Sequence, residues 1–575
     1  MKHPHTQALV SLGCLLAGCT VGPAYHAPTP TLPANWHQAA TDGLASGSAN
    51  VQQWWQVFQD DTLASLIQRA VAGNLDLRSA ALRVRQARAL RGVAAGELLP
   101  SLSGRGSYQL SQSSANGPLG GGPEAPGPGA RFTESVSRGI ATSILGQNLA
   151  SAVPGVPGIT NSVAGGLIGL IPSRTDLADQ PTMNLFATGF DSAWELDLFG
   201  GIRRNVEAAD ADLAAATEDY RGVLVSLLGE VATTYIDLRA LQSQLEATRQ
   251  NVELQRETLS LTQARLNAEL TSELDVRQAE ANLAATESEL PLLETGFTVA
   301  IYRLSVLLGK EPGALFDELS VARTIPQPPA ETLVGVPTDI LRRRPDLRAA
   351  ERRLAAETAR IGVAAAELYP RLTLSGTFGL EATDINHLLD GRSVTYGLGP
   401  AVRWNIFDGL RNLNRIAAQE AATHQAYVVY EQTLLRALQE VESAMIAYKR
   451  EQTRRDALLR AAEAARRAVQ IAEKRYEDGL TDFESVLVVQ RSLVQLENAV
   501  AQSRGQVAVN LVAVYKALGG GWSPETTPPA DDVREQSAAL ADPVDYFFSG
   551  GQTTLPWEAQ PHDDAAPPVT TTDQK

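Results

Sequence analysis

Gly92-Val93-Ala94-Ala95-Gly96-Glu97-Leu98-Leu99-Pro100 is answered, 270 residues further on, by Gly362-Val363-Ala364-Ala365-Ala366-Glu367-Leu368-Tyr369-Pro370. The match opens at Asp76-Leu77-Arg78 against Asp346-Leu347-Arg348. Roughly 15 of 35 positions agree without a gap, which marks an internal repeat. Up to its proline each copy is rich in Ala and Arg, the pattern of a helix that a proline ends. Past the proline the period changes. Leu102, Gly104, Gly106, Tyr108 and Leu110 share one face, with Ser101, Arg105, Ser107 and Gln109 on the other. In the second copy Leu372, Leu374, Gly376, Phe378 and Leu380 oppose Arg371, Thr373, Ser375, Thr377 and Glu381. Alternation of this kind predicts a strand with one apolar and one polar face.

A second strand follows in each copy. Phe186, Phe190, Trp194, Leu196 and Leu198 alternate with Asp191, Glu195 and Asp197; Val394, Tyr396, Leu398, Val402, Trp404 and Ile406 alternate with Thr395, Arg403 and Asn405. The strands are expected at about 101–111, 185–199, 371–381 and 394–407. After each pair comes a long stretch free of proline, from Ile202 to about Leu266 and from Arg411 to Tyr476. At 1.5 Å per residue each would be a helix on the order of 100 Å long, which needs a coiled partner. Heptads supply one: Leu238, Leu245, Val252, Leu259 and Leu266 going out, Val276, Leu283, Leu290, Phe297 and Leu304 returning. The second copy returns with Val486, Leu493, Val500, Val507 and Val514. Its outgoing arm is weaker, with Arg455 in the register of Tyr448, Ala462, Val469 and Tyr476.

The remaining sequence bounds the chemistry. Among 575 residues, 49 Lys and Arg face 65 Asp and Glu, a formal charge of −16, which argues against a nucleic-acid partner. The only cysteines are Cys14 and Cys19, so disulfide scaffolds and cysteine-rich metal sites are out, and no cluster of His, Asp or Ser at productive spacing suggests an enzyme. Neither a catalytic residue, a metal nor a soluble cofactor is expected. Lys2 followed by an apolar stretch to Ala17 reads as an export signal over 1–18. No uninterrupted apolar run of about 18 residues follows, so any membrane crossing is expected to use strands. Four strands cannot close a membrane barrel alone. Two chains would pool eight strands around a filled core, and three would pool twelve around an aqueous bore lined by Arg105, Asp191, Asp197 and Arg403.

Leu16-Ala17-Gly18-Cys19 resembles the lipobox of bacterial lipoproteins, which implies acylation of Cys19. Ala193-Trp194-Glu195-Leu196-Asp197-Leu198-Phe199-Gly200-Gly201-Ile202-Arg203-Arg204 resembles a motif of the outer-membrane efflux family, the TolC-like proteins, in its OprM and NodT-type lipoprotein branch. Thr338-Asp339-Ile340-Leu341-Arg342-Arg343-Arg344-Pro345-Asp346-Leu347 and Cys19-Thr20-Val21-Gly22-Pro23-Ala24-Tyr25 do so as well. The likeness covers about residues 15 to 520. It implies an α+β membrane protein: a homotrimer with a twelve-stranded transmembrane β-barrel, four strands per chain, continuous with a long periplasmic coiled-coil barrel. Lipid at Cys19 (N-acyl and S-diacylglycerol) would anchor it in the outer membrane. Its implied partners are a periplasmic adaptor and an inner-membrane pump of a tripartite efflux system, for which it would be the passive exit duct for drugs or other toxic small molecules. A duct for type I protein secretion and a periplasmic coiled-coil scaffold lipoprotein are the alternatives.

On this reading 19–74 is a lipid-anchored N-terminal segment, and repeat 1 spans 75–322 with a hairpin at 202–309 and a long loop at 112–183. That loop either lies at the cell surface or folds into the mouth. A linker at 323–344 precedes repeat 2 at 345–520, whose hairpin is 409–519. A tail at 521–575, rich in Pro, Thr, Asp and Ala, is expected to be flexible. The hairpin tips, 269–275 and 477–484, are acidic and would form the periplasmic entrance, where like charges repel. The gate candidates are Asp275, which matches the family's Ser-x-Leu-Asp pattern, together with Glu273, Asp478, Asp482, Glu484 and Arg491. Two departures stand out: Val488-Val489 precede Gln490-Arg491-Ser492-Leu493 where relatives carry an aspartate, and Glu269 replaces the glycine seen here at Gly479.

Overall fold

A computed structural model of the chain describes residues 20–33, 36–37, 44–46, 51–112, 182–328, 332–334, 343–523 and 525–526. The export signal, Cys19, loop positions 113–181, half of the linker and the tail beyond 526 lie outside the described residues. In chain order the elements are β1 (Leu44–Ser46), a short 3-10 turn (Trp54–Phe58), α1 (Asp61–Gly73), α2 (Leu75–Gly96), β2 (Ser101–Gln112) and β3 (Thr182–Leu196). Next come α3 (Gly201–Asn267), α4 (Glu273–Glu287), α5 (Glu289–Leu307), α6 (Phe316–Leu319) and β4 (Thr332–Val334). The second copy supplies α7 (Pro345–Ala366), β5 (Arg371–Ala382), β6 (Val394–Arg403), α8 (Arg411–Glu477) and α9 (Phe483–Ala517).

Two compact units emerge, one holding the strands between residues 97–198 and 370–404, the other holding the helices. In the first, four antiparallel strands run in the order β2-β3-β5-β6. Register pairs even with even, as in Tyr108 opposite Phe186 and Phe378 between Phe190 and Tyr396. Because side chains alternate, every large apolar residue of the four strands at an even position falls on one face. Leu102, Tyr108, Phe190, Phe378, Tyr396, Leu398 and Val402 are all exposed there. Gly189 stands opposite Gly379, and a Cβ on Gly189 would meet the Phe378 carbonyl oxygen at 2.5 Å. Both outer edges, β2 and β6, have no strand partner among the described residues. β3 starts and ends three residues earlier than the alternation suggested, and β6 stops at Arg403, so Asp197, Trp404 and Ile406 follow the strands instead of belonging to them.

In the helical unit α3 and α8 each run 67 residues. Each starts after a left-handed residue, Gly200 (φ 79°) or Leu410 (φ 66°), placing the two helices 210 residues apart in register. The heptads sit where the spacing requires: Val486, Leu493, Val500, Val507 and Val514 are all buried, as are Leu238, Leu245 and Val252. Arg455 stays at the seam's rim, paired with Asp456 at 2.8 Å. The first return arm, expected as one helix, is divided at Ser288 just ahead of Pro291. By length and composition its span Glu273–Leu307 would suffice to cross a membrane, although Glu294 and Arg303 interrupt its apolar run. It packs along α3 instead and buries Ala300, Ile301 and Leu304.

Sequence periodicity missed the device that closes the two repeats. Asn74 caps α2 (Leu77 N–H to Asn74 Oδ1, 2.8 Å) and donates from Nδ2 to the Leu307 carbonyl at 2.9 Å. Arg344 holds the equivalent place before α7 and donates to the Ala517 carbonyl at 2.9 Å. It also grips both Asp346 oxygens (3.0 and 2.6 Å) and reaches Glu440 at 2.7 Å. The Arg-Pro-Asp motif is thus a lock between the start of one helix and the end of another. Beside it, Trp54 stacks on Tyr515 at 5.7 Å, and Leu63, Leu66 and Ile67 of α1 join Leu228, Ile236 and Leu511 in one buried core. α1 is capped by Asp60 (Leu63 N–H to Oδ1, 2.9 Å), whose other oxygen accepts from the Tyr235 hydroxyl at 2.8 Å.

Candidate functional site

Both hairpins end in one backbone design, offset by 210 residues. Leu270 N–H donates to the Arg265 carbonyl (2.8 Å) and Leu480 N–H to the Arg475 carbonyl (2.7 Å), each closing its outgoing helix around a left-handed residue. That residue is Gly479 (φ 72°) in one tip and Glu269 (φ 58°) in the other. A side chain in this region costs about 1 kcal/mol. Glu269→Gly is therefore expected to stabilise the first tip by up to about 1 kcal/mol, read as about fivefold slower hydrogen exchange at the Leu270 amide. The greater freedom of glycine in the unfolded chain opposes this gain, and faster exchange in the variant would contradict it.

The return helices are capped by the same two residue types in exchanged positions. Ser272 caps α4 by accepting from the Asp275 N–H (3.4 Å), while Asp275 Oδ2 accepts from the Ser272 N–H (3.3 Å) and from the Thr271 hydroxyl. In the second tip Asp482 is the cap, and its Oδ1 accepts from the Ser485 hydroxyl (2.5 Å) and N–H (3.0 Å). These bonds, the hydroxyl's first, hold the Asp482 carboxyl below the usual range. Asp275, the foremost gate candidate from sequence, is thus a capping residue that shapes its own tip.

The other candidates divide as follows. Glu273 pairs with Arg277 (3.2 Å), Asp478 lies 3.5 Å from Lys474, and Glu484 is exposed in the first turn of α9. Arg491 donates to Asn282 Oδ1 of the other hairpin at 2.8 Å. Arg265, which the sequence reading passed over, ties the tips together. It donates to the Glu477 carbonyl (3.0 Å) and lies over the Tyr476 ring, 4.7 Å from its centroid. Tyr476 in turn packs on Phe483 at 5.3 Å within a small core containing Ala279, Val486 and Leu487. No periodic signal marks Arg265, because its partners lie on another hairpin.

Between the hairpins the seam changes character. Towards the middle of α3 it is apolar and tight: a Cβ on Gly505 would stand 2.8 Å from that of Ala240. Below this, buried polar side chains take over. Asn251 donates to Glu497 (2.8 Å), and Gln490, only 2% exposed, donates to Thr258 Oγ1 (2.8 Å) and to Glu473 (2.9 Å). Burial pushes the Glu473 carboxyl up, against the opposing effect of the Gln490 bond. Because its native pKa is raised, the fold is favoured below the unfolded value and loses that advantage as pH rises through the native one. Glu473→Gln should therefore stabilise the seam at pH 7, with the gain vanishing in acid. Thermal unfolding of both proteins at pH 7 and pH 4 checks this; an equal difference at both would contradict it.

In the sheet, Arg105, Asp191 and Arg403 occupy the polar, odd-numbered face, and Arg105 meets Asp191 at 3.4 Å. Arg403 ends β6 opposite Arg371, and Asp197 lies in the link to α3.

The pattern of the outer membrane efflux protein family matches residues 167–310 and 336–520. The chain is 30% identical over 533 residues to the pyoverdine export outer membrane protein OpmQ of Pseudomonas putida, covering 92% of this chain and 99% of that one. It is 28% identical over 510 residues to nodulation protein T of Rhizobium leguminosarum bv. trifolii, covering 89% and 96%. Among solved structures, the outer-membrane channel OprN superposes with a TM-score of 0.73 at 34% identity, over 88% of this chain and all of that one.

Proposed function

The chain belongs to the outer membrane efflux protein family, and on that premise we propose that three copies close a twelve-stranded β-barrel in the outer membrane, joined to a helical barrel across the periplasm. The assembly is a passive exit duct for drugs or other toxic small molecules. Its energy comes from an inner-membrane pump, to which an adaptor joins the hairpin tips. Cys19 carries the lipid anchor. A relative named for pyoverdine export supports small-molecule cargo over secreted protein.

The sheet carries this reading. A largely apolar face beside a polar one, with two open edges, satisfies its backbone in lipid only when β6 of one copy pairs with β2 of the next. The helices support the same closure. Within one chain α2 packs on α3, α3 on α7, and α7 on α8. The repeat then assigns the missing contact, α8 against α2 of the next copy. Gly362 lies against Arg204, since a Cβ there would stand 2.7 Å from Arg204 Cγ. The equivalents by repeat offset are Gly92, with nothing within 4 Å, and the exposed Asn414. Cysteines at both positions should yield disulfide-linked trimers in outer membranes; exclusively monomeric product would reject the assembly.

The entrance widens, on this reading, where the polar lower seam lets water replace contacts between the hairpins while the apolar upper seam holds. Removing either cap reshapes the tips, so Asp275→Ala is expected to alter single-channel conductance in planar bilayers. Unchanged conductance would take Asp275 out of the gate.

A further inference from the structure

The two elbows that lead from strand to long helix differ in one respect. Gly200 and Leu410 hold equivalent places with nearly the same left-handed backbone (φ 79° and 66°), and Leu410 is 58% exposed. Backbone conformation alone therefore does not require glycine at 200. The requirement comes from the N-terminal segment: a Cβ on Gly200 would stand 2.7 Å from Thr20 Cγ2. From the other side, a Cβ on Gly22 (φ 87°) would stand 2.4 Å from Gly362 Cα of α7.

Between these contacts Val21 N–H donates to the Phe199 carbonyl at 3.1 Å, and Arg204, 7% exposed, donates from Nε to the Val21 carbonyl (3.1 Å) and from Nη2 to the Gly22 carbonyl (3.3 Å). Its remaining nitrogen pairs with Glu207 of the same helix at 2.8 Å, which fixes the guanidinium, and releasing the segment would leave the two donors now given to Val21 and Gly22 without those acceptors at a partly buried site. Beyond it the Tyr25 hydroxyl donates to Glu351, while the Arg352 guanidinium lies over the Tyr25 ring at 5.8 Å.

We infer that Arg204, with Gly200 and Gly362, forms a clip that locks Thr20–Gly22 onto the elbow only four residues after β3 ends. A lipid borne by the preceding residue then leaves the protein at a set place and not on a free leash. Arg204 is a positioning residue for the anchor. The inference rests on the lipoprotein reading of Cys19, and the two fail separately.

Hydrogen exchange of the full-length protein in lipid nanodiscs tests the clip. In the parent protein the Val21 amide should be protected at least about a hundredfold against the unstructured rate. Arg204→Ala should raise its exchange at least about tenfold. Gly22→Ala, which adds a methyl group to the segment and leaves the helices intact, should do the same. Exchange within α9 should stay unchanged in the Gly22 variant, reporting an intact fold. A Val21 amide that exchanges freely in the parent, or is equally protected in both variants, overturns the clip. The mass of the N-terminal peptide judges acylation independently: an unmodified Cys19 would sink the lipoprotein reading and leave the exchange result standing.

Discussion

Leu398→Arg is expected to remove the protein from the outer membrane, whereas Thr395→Arg, three residues earlier on the same strand, is expected to leave it there. Both positions are exposed in the single chain and neither is in a packed core, so a soluble sheet would treat them alike. They differ in face. Leu398 stands opposite Gly376 on the apolar side, and Thr395 stands opposite Gly379 on the polar side. An arginine on the lipid face near mid-membrane costs about 2–4 kcal/mol per chain, and a threefold assembly incurs it three times. In an aqueous bore the same charge stays hydrated at little cost. Density-gradient fractionation of membranes, with cross-linking to count subunits, reads both variants. Equal recovery of the two would mean that this face does not meet lipid, and the barrel would have to be abandoned.

The largest effect on stability is expected from Trp54→Ala, at about 3–5 kcal/mol. Trp54 is 1% exposed, stacks on Tyr515 at 14° between planes, and meets Trp55 and Phe58 edge-on at 5.9 and 6.4 Å. Space around it is closed by backbone: a Cβ on Gly520 would come within 3.0 Å of the indole Cδ1. Little collapse is available to fill the cavity, so the cost should lie at the high end of the range. Leu270→Ala, at an exposed tip position, should change stability by no more than about 0.5 kcal/mol and serves as the comparison. Denaturant unfolding of the detergent-solubilised protein distinguishes them. A Trp54 variant as stable as the parent would show that the N-terminal segment adds nothing to the helical core.

Much of the architecture is legible in the sequence. The repeat at Gly92 and Gly362 announced two copies of one unit, and the alternation from Leu102 to Leu110 marked its strand. The heptad from Val486 to Val514 named five residues that all prove buried. The candidate site was legible only as a place. Its acidic residues mark the tips, and the structure adds that Asp275 and Asp482 serve there as helix caps. Arg265, which holds the tips together, belongs to no motif and carries no periodic signal, and the family-like segment that contains Gln490 gives no sign that its amide is buried in the seam.

What the chain alone determined is what repetition along it can encode. A period of two or of seven says which face of a strand or helix is covered, because backbone geometry turns position into direction. The tertiary structure decided which distant residues meet: Trp54 with Tyr515, Arg344 with Ala517, Arg204 with Val21 and Gly22. Such contacts depend on where the long helices bring their ends after 173 or more residues of chain. Local spacing holds no record of that, and burial with hydrogen bonding selects the partners only once the helices have packed.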